Sequence, residues 1–148
     1  MSDSAVEKKK ILVVDDNPDV LDLLSDILKE EEKYTIFGAA SIAEALKLAQ
    51  KHTFSLVISD LRLKNESGFE LMRQIHAHFS WIPVIIMTAY GSVDSAIEAI
   101  KAGAFDYIEK PFHSKKILFT VERAIETSSL RTEVSRLRSN LLKESSYH

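Results

Sequence analysis

Short apolar runs alternate with helical patterns five times along this chain, and this alternation limits the folds that the chain can adopt. Most of the runs are continuous and rich in β-branched residues, as expected for strands that are buried on both faces. They cover residues 11–14, 34–37, 54–58, 83–87 and 105–108. Parallel strands are joined by right-handed helical crossovers. The pattern therefore predicts an α/β fold in which a five-stranded parallel sheet is doubly wound by helices on both faces.

Capping signals mark the ends of several predicted helices. Asn17-Pro18 combines an N-cap residue with a proline in the first helical turn. Ser41–Glu44 and Ser67–Glu70 have the spacing of capping boxes, in which both side chains satisfy exposed backbone N–H groups. Gly103 stands where the C-cap of the fourth helix is expected.

The composition excludes several classes of function. The chain has 148 residues, of which 45% are hydrophobic and 28% are charged, as in one ordinary globular domain. Its net charge of -3 does not indicate nucleic-acid binding, and we interpret the basic run Lys8–Lys10 as a solvated lead-in to the first strand. The absence of cysteine excludes disulfides, thiolate catalysis and zinc–thiolate sites. No apolar stretch suits a signal peptide or a membrane span, so we expect a cytoplasmic protein with no membrane contact.

Chemically reactive side chains follow four of the five predicted strands. Asp15 and Asp16 follow the first strand, Asp60 the third, Thr88 the fourth and Lys110 the fifth. Ligands of open parallel sheets bind beyond the carboxyl ends of the strands. We therefore expect these five side chains to converge on one crevice.

Three carboxylates in one crevice repel each other, and a hard divalent cation with oxygen ligands resolves the conflict. Mg²⁺ (or Mn²⁺) suits a partly hydrated carboxylate site. Such a cation beside a carboxylate nucleophile, an ammonium group and a hydroxyl provides the groups needed for phosphoryl transfer. Asp60 is the best candidate nucleophile because it stands alone at the centre of the crevice, and a carboxylate can carry a phosphoryl group as an acyl phosphate.

Other interpretations are possible for each residue alone. Asp15-Asp16-Asn17 could merely cap a helix, and Lys110 could be an ordinary surface lysine. A metal-dependent phosphatase would need a second aspartate two residues after Asp60, where Arg62 stands. The remaining alternative is an interaction module of the same fold that works without phosphorylation.

The chain resembles the receiver domains of two-component response regulators over about residues 10–126. The motifs that carry the resemblance are Val13–Asp16, Ser59–Arg62 with Gly68, Met87–Ala89, Gly103–Tyr107 and Glu109–Phe112. They are similar to those of the nitrogen-regulation branch, whose members usually precede an AAA+ sigma-factor-dependent activator domain. The resemblance implies a flavodoxin-like (CheY-like) fold with strand order 2-1-3-4-5.

This resemblance also implies roles for the residues of the crevice. Asp60 would be phosphorylated by a sensor histidine kinase or a small phosphodonor. Asp16, Asp60 and the backbone carbonyl of Arg62 would bind the metal directly, and Asp15 would reach it through water. The chain would be a switch with self-catalysed phosphotransfer and would not be an enzyme in the strict sense.

The resemblance also implies how phosphorylation would be connected to a change of conformation. Lys110 would contact the phosphoryl oxygens, and Thr88 would move to hydrogen-bond them. Tyr107 would turn inward as Thr88 moves, and the Lys110-Pro111 bond would be cis. Tyr90, two residues after Thr88, lies where the family controls water access, and its bulk predicts slow self-dephosphorylation.

The C-terminal tail predicts a dimer. Leu130, Val134, Leu137 and Leu141 repeat at spacings of 4, 3 and 4, as in a coiled-coil seam. A tail that folds back on its own domain, or that frays, is the alternative. The predicted organisation is a flexible lead-in at 1–9, a receiver domain at 10–126 and a helical linker at 127–148. The homodimer could also use the face formed by the fourth helix, the fifth strand and the fifth helix, and the expected output is transcriptional.

Overall fold

The computed structural model describes residues 8–89 and 93–146. In its last helix, side chains are described as far as residue 130 and at residues 134, 137 and 138. Most of the predicted lead-in (residues 1–7), Tyr90 and the side chain of Leu141 therefore lie outside the described residues.

The described residues form seven strands and five helices. The strands are β1 (Lys9–Val14), β2 (Tyr34–Ala39), β3 (Leu56–Asp60), β4 (Arg62–Leu63), β5 (Glu66–Ser67), β6 (Val84–Thr88) and β7 (Asp106–Glu109). The helices are α1 (Pro18–Lys29), α2 (Ile42–Lys51), α3 (Gly68–His78), α4 (Val93–Ala102) and α5 (Ser114–Ser146).

Five strands form one parallel sheet in the order β2-β1-β3-β6-β7. Counted among these five strands, this is the order 2-1-3-4-5, so the predicted fold class is confirmed. Each of the five strands differs from its apolar run by one or two residues at one or both ends. Phe54 precedes β3, yet it is buried because its ring packs edge-on against Phe37 at 5.4 Å. An apolar run indicates which residues are buried, whereas a strand also requires backbone hydrogen bonds to a neighbouring strand.

The sheet separates two cores, because successive side chains of a strand point to opposite faces. On one face, Leu12, Val57 and Ile86 pack against α2, α3 and α4. On the other, Ile11, Ile58 and other strand residues pack against α1 and α5. Each fully buried aliphatic side chain contributes about 1.5–3 kcal/mol of transfer free energy. Burial of both faces explains why the strands read as apolar runs without alternation.

The predicted N-cap side chains and the C-cap glycine are in place, but the glutamates of both predicted capping boxes have other partners. Glu44 accepts a hydrogen bond from the Ala40 N–H at 2.7 Å and not from the Ser41 N–H. The Asn17 side chain accepts a hydrogen bond from the Asp19 N–H (2.9 Å), and Ser41 accepts one from the Glu44 N–H (3.2 Å). Gly103 adopts φ 113°, and the Ala104 N–H donates to the Ala99 carbonyl, which completes a left-handed C-cap.

In the second capping box, the glutamate does not bond a backbone N–H of the helix start, so the prediction is wrong for this residue. The Ser67 hydroxyl accepts a hydrogen bond from the Phe69 N–H at 3.1 Å. Glu70 instead accepts two hydrogen bonds from Arg73, one turn later, at 2.8 and 2.7 Å. A bidentate, charge-assisted pair with a guanidinium is stronger than a single bond to a backbone N–H.

Helix α5 continues well past the sheet. Its buried residues, such as Ile117, Val121 and Ile125, pack on the β-sheet. Farther along, Leu130, Val134 and Leu137 are 67%, 44% and 52% exposed, so these three side chains do not pack back on the domain. No helix within the described residues is long and apolar enough to cross a membrane.

Candidate functional site

The parallel sheet brings the predicted residues to one edge. Asp15 and Asp16 directly follow β1, Asp60 ends β3, Thr88 ends β6 and Lys110 follows β7. Because β1, β3, β6 and β7 are adjacent and parallel, their carboxyl ends share this edge.

Asp15, Asp16 and Asp60 form an acid triad, in which one carboxylate oxygen of each residue lies within 4.8 Å of the others. Within the described ranges this is the only cluster of three or more such side chains. Asp15 is buried, the Asp60 side chain is 15% exposed and Asp16 faces solvent. An all-oxygen donor set that is open to water on one side fits Mg²⁺ or Mn²⁺.

Lys110 partly neutralises the triad. Its Nζ donates to Oδ2 of Asp60 at 3.1 Å and to Oδ2 of Asp15 at 3.4 Å. Burial alone would lower the pKa of Lys110, but the hydrogen bond and charge of Asp60, followed by those of Asp15, raise it above its ordinary value. The ammonium group therefore stays charged in the site.

The buried position of Asp15 beside other carboxylates disfavours its charged form. Burial raises its pKa above the ordinary value, and the charge of Asp60 raises it further. The hydrogen bond from the Asn17 N–H and the charge of Lys110 oppose this shift without cancelling it. One ammonium group does not balance three carboxylates, so the site has an excess negative charge that a divalent cation would neutralise.

The loop after Asp60 is built around a close backbone contact. The Arg62 N–H donates to Oδ1 of Asp60 at 3.2 Å, and the Gly68 N–H donates to the Leu61 carbonyl at 2.8 Å. A Cβ atom at position 68 would lie 2.3 Å from the Asp60 carbonyl oxygen, so only glycine fits there. Metal binding by the Arg62 carbonyl stays a prediction.

This loop also contains a short hairpin that was not predicted. Strands β4 and β5 pair antiparallel, and Asn65 at the turn between them has φ 60°. Asparagine tolerates this left-handed conformation better than most residues, and it was the signal that could have indicated the turn. The Glu66 side chain accepts a hydrogen bond from the Ile42 N–H at 3.2 Å, which ties the hairpin to the start of α2.

Thr88 carries a buried hydroxyl group that lacks a hydrogen-bond partner within the described part of the chain. The residue is 1% exposed, and its carbonyl accepts a hydrogen bond from the Lys110 N–H at 2.9 Å. A buried hydroxyl that is left unpaired costs about 1–3 kcal/mol. Any ligand or movement that brings a hydrogen-bond acceptor to the Thr88 hydroxyl would therefore remove this free-energy cost.

A cavity of about 320 Å³ opens beside these groups and is lined by Asp60, Leu61, Arg62, Ala89, Ser95 and Lys110. Ser95, in the first turn of α4, was not among the predicted site residues. Tyr107 lies half-buried in β7, opposite Ile86 of β6, and its role as a switch stays a prediction. The Lys110-Pro111 peptide bond is cis.

Comparison with known proteins identifies the family. Residues 11–122 match the response regulator receiver domain family. The chain is 36% identical over 140 residues to the response regulator protein PilR of Pseudomonas aeruginosa, which covers 95% of this chain and 31% of PilR. It is 37% identical over 130 residues to the nitrogen assimilation regulatory protein NtrX of Azorhizobium caulinodans, covering 86% of this chain and 28% of NtrX.

A solved structure agrees with this match. The receiver domain of NtrX from Brucella abortus superimposes with a TM-score of 0.74 at 34% identity, covering 79% of this chain and 98% of that domain. The chain spans about 30% of the length of the curated relatives that it matches. The chain therefore belongs to the response regulator receiver domain family, and its relatives are regulators of the nitrogen-regulation (NtrC-like) branch.

Proposed function

We propose that this receiver is a phosphorylation-dependent switch in which Asp60 accepts a phosphoryl group from a sensor histidine kinase. A carboxylate oxygen of Asp60 would form a bond to phosphorus while the bond between phosphorus and the donor nitrogen breaks, giving an acyl phosphate. The observation that carries the proposal is the contact of Lys110 with Asp60 within the acid triad, at the sheet edge where the unpaired hydroxyl of Thr88 also lies.

Each residue of the site has a task in this reaction. Asp15, Asp16, Asp60 and the Arg62 carbonyl would hold Mg²⁺ or Mn²⁺. When bound, the cation supplies neutralisation of charge on the oxygens of the transferring phosphoryl group. Lys110 already contacts Asp60 and would exchange that contact for a phosphoryl oxygen. No second acid lies two residues after Asp60, so we expect single transfers onto the chain and no turnover of substrates.

The change of charge would then bias a two-state element. A phosphoryl group adds about -1.5 to -2 charges at neutral pH and three strong acceptor oxygens. The Thr88 hydroxyl would gain the acceptor that it lacks, and its movement would make room for Tyr107 to turn inward. Strand pairing places Tyr107 opposite Ile86, two residue pairs from the pair of Thr88 with Glu109, so the two movements share one pair of strands.

The switch would control an output domain. Relatives are about three times as long as this chain, and those with descriptive names are regulators of transcription and nitrogen assimilation. We propose a transcriptional output from a cytoplasmic protein, with no direct binding of nucleic acid by this segment.

We further propose that the chain dimerises through α5. The exposed Leu130, Val134 and Leu137 stand at spacings of 4 and 3, as in a coiled-coil seam. A second apolar surface on α4, Val93, Ile97 and Ile100, would extend the contact in the switched state. Leu130→Asn with Leu137→Asn should give a monomer in sedimentation experiments, whereas Leu23→Asn, an exposed leucine of α1, should not. An unchanged dimer in the tail variant would assign the contact to α4 instead.

Phosphoryl incorporation from acetyl phosphate tests the main proposal. Mass spectrometry should detect one phosphoryl group on the wild type with Mg²⁺, and none with EDTA or in Asp60→Asn. The control is Asp22→Asn, which removes an exposed carboxylate of α1 and should leave the modification intact. A wild type that neither incorporates phosphoryl nor binds beryllofluoride with Mg²⁺ would leave the alternative, an interaction module that works without phosphorylation.

A further inference from the structure

A basic pocket lies at the end of the sheet opposite to the acid triad. It is lined by residues around the start of β1 (Lys8, Lys9 and Lys10) and at the end of α2 (Lys51 and His52). Thr53 and Ser55, just before β3, complete its lining, and the cavity holds about 400 Å³. Lys51 is separated from the lysine run by some forty residues of sequence, so only the fold reveals that these charges share one cavity.

The lining of the basic pocket consists of hydrogen-bond donors. Lysine, histidine and hydroxyl side chains can all donate, and no carboxylate is among the lining residues. Within the described residues, the ion pairs involve Lys110, Arg73 and Arg123, and none of the four pocket lysines has a carboxylate within 4.0 Å. Four lysines that lack a paired carboxylate therefore contribute to the lining of one cavity, in a chain whose net charge is -3.

Two residues that line the basic pocket are held in place by contacts within the domain. The Lys10 Nζ lies 3.4 Å from Nδ1 of His52. An ammonium group can only donate, so Nδ1 is the acceptor in this contact. The His52 ring also packs on Phe37 at 4.5 Å and on the buried Phe54 at 6.1 Å between ring centroids. These contacts fix the position of His52 and of the half-buried Lys10.

We propose that the basic pocket binds a small anion that carries two or more phosphate groups. Lysine is a common partner of phosphate oxygens, and a lining that contains several lysines and no carboxylate matches a diphosphate or triphosphate better than a single carboxylate. The volume lies within the range of about 300–1,000 Å³ that is typical of small-molecule sites. A duplex nucleic acid would instead need a basic surface of about 1,000 Å² or more.

This site is separate from the one at Asp60. The six residues of β1 lie between Lys9 and Asp15, a distance of about 20 Å at the usual rise of a strand. Electrostatic interactions through solvent are screened beyond about 8 Å at physiological ionic strength. The inference therefore stands whether or not Asp60 is phosphorylated.

Titration of the 148-residue chain with pyrophosphate tests the proposal, with EDTA present so that no divalent cation occupies the acid triad. Calorimetry should show saturable binding of one anion with a Kd of about 1 mM or tighter. Amide NMR signals of Lys10 and of residues 51–55 should shift. Inorganic phosphate, tripolyphosphate and ATP are the comparison ligands. Weaker binding of inorganic phosphate indicates that several phosphate groups are contacted, and ATP binding tighter than tripolyphosphate indicates a contact with the nucleoside.

Two double variants that remove the same number of charges distinguish binding at the basic pocket from general electrostatic attraction to the protein. Lys10→Gln with Lys51→Gln should weaken pyrophosphate binding at least about tenfold. Lys29→Gln with Lys101→Gln, which removes exposed lysines from the ends of α1 and α4, should weaken it less than about twofold. The single variant Lys51→Gln, at an exposed position, serves if the first pair disturbs folding.

Three results would overturn the proposal. These are the absence of saturable pyrophosphate binding by the wild type, an equal loss in both double variants, and NMR shifts confined to the acid triad. Binding of an acidic peptide or of DNA without binding of pyrophosphate would overturn it as well.

Discussion

Replacing Asp15 by asparagine should stabilise the metal-free domain. The Asp15 side chain is 1% exposed, its oxygen lies within 4.8 Å of those of Asp16 and Asp60, and Lys110 lies at 3.4 Å. At an effective dielectric constant of 20, the attraction to Lys110 and the repulsion from Asp60 are each about 3–5 kcal/mol and nearly cancel. The cost of burying the charge then decides the sign, in agreement with the raised pKa of Asp15.

We expect Asp15→Asn to raise the free energy of unfolding by about 1–3 kcal/mol at pH 7 in EDTA. Asparagine keeps an oxygen that can accept the hydrogen bond from the Asn17 N–H, so that contact is not lost. In a domain of this size the midpoint of thermal unfolding should rise by about 3–10 °C. Circular dichroism measures it, and Asp22→Asn, at an exposed position, is the control that removes the same charge.

The dependence on pH and on metal supplies two further checks. Since the folded-state pKa of Asp15 lies above its ordinary value of 3.8, the wild type should lose stability as pH rises from about 3.8 through that folded-state value. The gain from Asp15→Asn should therefore vanish below this window. Mg²⁺ should stabilise the wild type by about 2.7 kcal/mol at 100 times its Kd, and the variant by less. A variant that is less stable than the wild type in EDTA at pH 7 would refute this reasoning.

Three other outcomes are expected. Gly68→Ala should lower the free energy of unfolding by about 3 kcal/mol and reduce phosphorylation, because its Cβ would lie 2.3 Å from the Asp60 carbonyl oxygen. Urea unfolding measures the change in stability. Gly38→Ala, whose Cβ would have an ordinary contact at 3.5 Å, is the control. Because the pKa of Lys110 is raised above 10.5, its pairing with the carboxylates should stabilise the metal-free fold below pH 10.5. This stabilisation should disappear as pH rises through the folded-state pKa of Lys110. Unfolding curves of Lys110→Gln at alkaline pH should not show this loss of stability. Phe54→Ala should cost about 3–5 kcal/mol in urea unfolding, and a small effect would show that its site collapses around the change.

Local patterns in the sequence were sufficient for the architecture of this domain. Burial on both faces makes parallel strands visible as apolar runs, and Asn17, Ser41 and Gly103 act on backbone groups within a few residues of themselves. The location of the site also followed, because the carboxyl ends of parallel strands share one edge wherever the exact strand boundaries fall.

Other features required the tertiary structure, because they depend on which distant segments become neighbours. Glu70 had two possible partners, and only the side-chain geometry shows that Arg73 takes it. The Cβ clash at Gly68 and the orphaned hydroxyl of Thr88 are properties of close packing in three dimensions.

The basic pocket is the clearest example of a feature that required the tertiary structure. The sequence contained Lys8–Lys10 as a run that was reasonably interpreted as solvated, and Lys51 as one exposed lysine among many. The pairing of Ser55 with the Lys10 carbonyl sets the start of β3 beside the start of β1 and brings the end of α2 to the same cavity. The sequence by itself therefore determined the sheet and the edge at which chemistry takes place, since both follow from local periodicity. Only the tertiary structure decided which charges meet, since that depends on the packing of segments that are far apart in the chain.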